Sequence, residues 1–163
     1  RRLPGARGEV MLVRANEPPQ QMPASELPSK APGNLRLVAI SDTHMLHDRL
    51  GELPAGDLLV HAGDLCYEES RSPDATCLSS LLSAREDTPL HETVLQESAH
   101  LDVRNALQWF GEQAKRFEHA VITGGNHDFT FECLGLPESK KLCAHFGVVY
   151  LHETAEPITL HFT

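Results

Sequence analysis

No apolar stretch of this chain approaches the roughly 18 residues that a membrane-spanning helix needs, so no membrane association is expected. The opening Arg-Arg-Leu-Pro-Gly-Ala has neither the apolar core nor the cleavage pattern of a secretory signal. Cysteine is scarce: Cys66, Cys77, Cys133 and Cys143 are all there are, and no two form a C-x-x-C pair. That spacing argues against a zinc ribbon or a thioredoxin-like site and suits idle thiols in a reducing, cytoplasmic compartment. Basic residues are also few, 14 against 23 acidic ones, for a formal charge of −9. A chain this acidic is a poor candidate for binding long nucleic acid by bulk electrostatics, although a local metal site could still attract phosphate. What remains is a chain of 163 residues, 40% hydrophobic, enough for one domain with a real core. Its first residue is Arg1 rather than Met, as expected of a fragment.

Residues 1–34 hold six of the eleven prolines and almost no periodic apolar pattern, so a flexible leader is expected there. Order is expected from Leu35. Leu35 to Ile40 is a short apolar run that fits a strand buried on both faces, as in a parallel sheet. Leu58 to Ala62 is a second run, and Ala120 to Thr123 a third. Val103, Leu107, Phe110, Ala114 and Phe117 recur at helical spacing, which predicts a helix over 101–117 with Asp102 as its cap. Pro137 is expected to open a shorter helix through Phe146, with strands at 148–151 and 158–162. Between the second run and the long helix, residues 68–100 are rich in Ser, Thr and acids and read as a surface insertion.

Each of the three apolar runs stops at a serine or glycine followed by metal-capable side chains. The first ends in Ser41-Asp42-Thr43-His44, the second in Gly63-Asp64, and the third in Gly124-Gly125-Asn126-His127-Asp128. In an extended segment residues i and i+2 point the same way, so Asp42 and His44 could converge on one ion. Parallel strands aim their C-terminal ends at one edge of the sheet, the edge where α/β proteins place ligands. Asp42, His44, Asp64 and Asn126 would gather there. Carboxylate, imidazole and amide oxygen donors suit Mn, Fe or Zn better than calcium. A carboxylate shared between two cations about 3.5–4 Å apart would activate water and neutralise phosphate oxygens.

In this order the three motifs resemble those of the calcineurin-like metallophosphoesterase superfamily. The stretch from Leu53-Pro54 to Gly63-Asp64, with Phe129-Thr130-Phe131, is most similar to the metallophosphoesterase-domain-containing subfamily. The resemblance covers 35–162 outside the insertion. It implies an α/β fold, a β-sandwich flanked by helices, of which this chain would be roughly the first half. It also implies that Asp42 and His44 bind a first divalent metal, that Asp64 bridges two, and that Asn126 binds the second. His127 would be catalytic, protonating the leaving oxygen or stabilising the transition state, with Asp128 in support. Small phosphoesters, such as cyclic nucleotides, would be the substrates, hydrolysed by attack of a metal-bound hydroxide. The later Gly-His and Gly-x-His motifs of the family do not occur before Thr163. A non-catalytic phosphate- or partner-binding derivative is therefore the alternative. His47 and His61 are read as structural.

Overall fold

The computed structural model describes residues 9–66, 88–96, 101–152 and 159–162. Four parallel strands form the central sheet: β3 (Leu37–Ile40), β4 (Leu58–His61), β5 (His119–Thr123) and β6 (Val149–Leu151). They lie side by side in chain order, with Val38 opposite Leu59, Leu59 opposite Ala120 and Ile122 opposite Tyr150. The link from β4 to β5 carries the helices α1 (Leu90–Gln96) and α2 (Leu101–Ala114), and that from β5 to β6 carries α3 (Phe129–His145). An antiparallel ribbon of β1 (Glu9–Leu12) and β2 (Gln20–Pro23) precedes the sheet.

Strand order explains where the core sits. Parallel crossovers are right-handed, and successive crossovers that advance in one direction put their helices on one face. That face carries Leu59, His61, Ala120, Ile122 and Tyr150, buried with Leu107, Phe110, Leu134 and Leu142 of the helices. The predicted stripe of α2 is the packed face: Val103, Leu107, Phe110 and Ala114 are all buried, and the helix stops at Ala114 with Phe117 in the turn beyond. The opposite face is only partly covered. Leu37 is 57% and Val149 39% exposed. The expectation that the first strand is buried on both faces is therefore corrected: a one-directional sheet has a single helix layer.

Other expectations shift as well. The stretch 1–34, read as a leader without structure, contains the β1–β2 ribbon. It is also tied to the sheet at its far end, where Lys30 pairs with Asp57 at 2.5 Å and the Arg36 guanidinium donates to Pro28 O. Electrostatic anchoring of this kind leaves no trace in apolar periodicity. The second helix begins at Phe129 rather than Pro137, because α3 bends at Gly135 (φ 70°, ψ 170°) and the proline opens only its second part. Residues 159–162 form no ladder; they lie against β5, with His161 O accepting from His119 Nε2 at 2.6 Å and Phe162 edge-on to the His119 ring. Of the acidic insertion, 68–87 and 97–100 fall outside the described residues, while 90–96 is α1, packed on α3 through buried Thr93 and Val94. Among the described residues no helix is long and apolar enough to cross a membrane.

Candidate metal site

Three segments meet at the C-terminal edge of the sheet: 41–47 after β3, 62–66 after β4 and 124–128 after β5. The first two run alongside each other past the ladder. Asp42 N–H donates to Gly63 O at 3.0 Å, His44 N–H to Asp64 O at 3.1 Å and Met45 N–H to Leu65 O at 2.8 Å. Yet neither is extended. Asp42 (φ 53°), His44 (41°), Met45 (58°) and Asp64 (57°) all occupy the left-handed region. This conformation costs an L-residue roughly 1–2 kcal/mol, and such strain concentrates at functional sites. The premise that Asp42 and His44 share a direction because they are two apart on a strand thus fails: the chain has already left the strand.

Two glycines let the second and third segments touch. A Cβ on Gly63 (φ 100°) would stand 2.7 Å from Gly125 N, and one on Gly125 would overlap Asp64 Oδ1. With no side chains in the way, Asp64 reaches the turn after β5, where His127 N–H donates to Asp64 Oδ1 at 2.9 Å. Asp128, 3% exposed, closes the junction by accepting from Cys66 N–H and Gly125 N–H, both at 2.9 Å. Burial pushes its carboxyl pKa up, while these backbone donors oppose the rise.

The result is a compact donor group. One ligating atom from each of His44, Asp64 and His127 lies within 4.8 Å of the others. His44 Nδ1 is 2.8 Å from Cys66 O. A carbonyl only accepts, so Nδ1 carries the proton and Nε2 is left bare for a cation. The His127 ring stands edge-on to His44 with centroids 4.9 Å apart, and its buried Nδ1 has no hydrogen-bond partner. An orphaned buried nitrogen beside a carboxylate and a second imidazole fits a divalent ion, and this donor set suits zinc, iron or manganese.

Of the residues expected at the site, His44 and Asp64 are thus brought together, joined by His127, which the resemblance had given to proton transfer. Asp42 lies outside this group; it is exposed, and its carboxylate accepts from the Ser41 hydroxyl. Asn126 is exposed in the turn beside His127. Two histidines expected to be structural are buried here, His47 at the end of the first segment and His61 at the end of β4. His47 is 4% exposed, its ring 5.1 Å from that of Trp109, and burial lowers its pKa. His61 is 1% exposed, with burial pushing its pKa down to about 4. The available signal was a polar residue in an otherwise apolar strand, Leu-Leu-Val-His-Ala.

The calcineurin-like phosphoesterase family profile matches residues 35–160, all four strands of the central sheet and all three segments. The chain belongs to this family. It is similar to metallophosphoesterase domain-containing protein 1 of Homo sapiens and of Mus musculus, 28% identical to each over 103 residues. That alignment takes in 63% of this chain but 22% of either relative, so the chain spans about a fifth of their length. No solved structure matches it. Family membership thus coincides with a metal-capable donor group at the strand ends.

Proposed function

We propose that this chain supplies the metal-binding edge of a phosphoester hydrolase, with His44, Asp64 and His127 holding one divalent ion and Asp42 and Asn126 standing where a second would be completed. The observation that carries the reading is the three-donor group within 4.8 Å at the strand ends. A divalent ion held by these residues would supply polarisation of phosphate oxygens and a water whose lowered pKa makes hydroxide accessible at neutral pH. The chain's own part is orientation. The Cys66 carbonyl fixes the His44 tautomer, and the His127 amide turns one Asp64 oxygen, leaving the other for a cation. Substrates would be small phosphodiesters or phosphomonoesters, cyclic nucleotides among them, because a net charge of −9 repels long polyanions.

The test is Mn²⁺-dependent hydrolysis of a chromogenic phosphodiester by the full-length protein. Asp64→Asn removes most of the turnover if Asp64 holds the cation; unchanged turnover overturns its role. His127→Ala separates two duties. Lost Mn²⁺ affinity makes His127 a ligand, whereas retained affinity with lost turnover makes it the proton donor. Tight Mn²⁺ binding without any turnover would favour the non-catalytic derivative.

A further inference from the structure

We infer that His61 is a positioning residue, a rigid two-ended brace that sets the separation of His44 and Asp64 for a cation; the inference rests on the metal reading above. His61 ends β4 on the helix-covered face, opposite Ile40 in the register, 1% exposed and edge-on to Phe110 with centroids 5.6 Å apart. A residue so placed in a core is ordinarily apolar, since an unpaired polar group there would be penalised. Here both ring nitrogens are employed. Nδ1 accepts from Gly63 N–H at 3.2 Å. It is therefore unprotonated, so Nε2 carries the hydrogen and donates to Thr43 Oγ1 at 3.0 Å. Thr43, itself buried, lies between Asp42 and His44, and Gly63 immediately precedes Asp64. One planar ring thus spans the two ligand-bearing segments where both have left the strand and have positive φ, adding a side-chain link to the three backbone hydrogen bonds between them. An aliphatic side chain of equal size would fill the same space without fixing either segment. With both nitrogens committed, His61 is not a ligand; it acts through its neighbours, as residues outside the coordination sphere do.

Mn²⁺ affinity, read by calorimetry on the full-length protein, tests this with no recourse to turnover. His61→Leu is expected to weaken binding about 10- to 100-fold, the usual effect of losing an outer hydrogen-bond partner. Thr43→Val should weaken it less, and His61→Leu with Thr43→Val no more than His61→Leu alone, since they break one linkage. His61→Gln, which retains a donor toward Thr43, should recover part of the loss even if His61→Leu folds poorly. Phe110→Leu removes the ring packed edge-on against His61 but keeps the partners of both its hydrogen bonds, and should leave affinity unchanged. Equal affinity in His61→Leu and the parent, or an equal loss in Phe110→Leu, overturns the inference. If the parent binds no Mn²⁺ the metal reading falls by itself, and hydrogen exchange of the His44 amide then decides. Faster exchange in His61→Leu but not in Phe110→Leu upholds the brace, and unchanged exchange in His61→Leu rejects it.

Discussion

Strand β4 has an aspartate at each end, and the two are treated in opposite ways. Asp57, just before the strand, accepts from Arg36 N–H at 2.6 Å and pairs with Lys30, and these partners hold its carboxyl below the usual range. Its own carbonyl takes the N–H groups of Glu118 and His119, so it ties three segments together at the N-terminal edge. Asp64, just after the strand, receives the His127 amide, has no ion pair to Lys or Arg among the described residues, and faces two imidazoles. One carboxylate has its cation supplied by the chain; the other is met by two imidazoles and a backbone amide instead. The same residue type is tied down by the chain at one end of the strand and stands in a metal-capable donor group at the other, and the difference lies in what the neighbouring loops bring.

The sharpest way to break the comparison is to neutralise each acid. Asp64→Asn is expected to weaken Mn²⁺ binding by about 100-fold, near the ~2–3 kcal/mol typical of a charge-assisted contact, with little change in melting temperature. Asp57→Asn is expected to do the reverse, lowering the melting temperature by several degrees while leaving Mn²⁺ affinity intact. Calorimetric titration and thermal unfolding on both variants check the pair, and a loss of affinity in Asp57→Asn would erase the distinction.

Acid should loosen the two edges in separate windows. In the metal-free chain His61 stays neutral until about pH 4, whereas unfolded histidine protonates near pH 6.5. The unfolded chain therefore binds the extra proton between those values, and stability falls as pH drops through them, by roughly 3 kcal/mol in all. Asp57 has the opposite displacement: its contribution is whole above the ordinary carboxylate pKa and declines only below it. Denaturant unfolding from pH 7 to 4 should show a slope that shrinks in His61→Gln, the remainder including buried His47, and persists in Asp57→Asn.

The smallest effect belongs to a contact at neither edge. Glu138 on α3 bonds Lys141 and the His91 ring and backbone of α1, which together draw its pKa down to about 2. Glu138→Gln should lower stability by about 1 kcal/mol at neutral pH. That difference should hold above the ordinary glutamate pKa and fade as pH falls toward 2. Mn²⁺ affinity should be unaffected, and any change would link the helix layer to the site.

Much of this was legible in the residue order. The four strands, the buried stripe of α2 and the clustering of Asp64 with His44 follow from apolar runs that each end in small residues and metal-capable side chains. The braces were not legible. His61 is one polar residue in an apolar run, and nothing local reveals that its partners are Thr43, eighteen positions earlier, and the backbone of Gly63. His127 was expected beside the donors; that it stands among them was hidden, because it depends on the contact of Gly63 and Gly125 across two loops.

By itself the sequence determined that strands would alternate with helices and that their C-terminal ends would carry aspartates and histidines, since side-chain chemistry and apolar spacing are local properties. Only the tertiary structure decided which donors converge. His44, Asp64 and His127 meet, and Asp42 lies apart, because left-handed backbone at four positions and two bare glycines turn the loops. Those conformations persist where long-range hydrogen bonds, from Cys66 to Asp128 and from His61 to Thr43, hold them. Their cost is local and their compensation distant, which is why no stretch of sequence contains both.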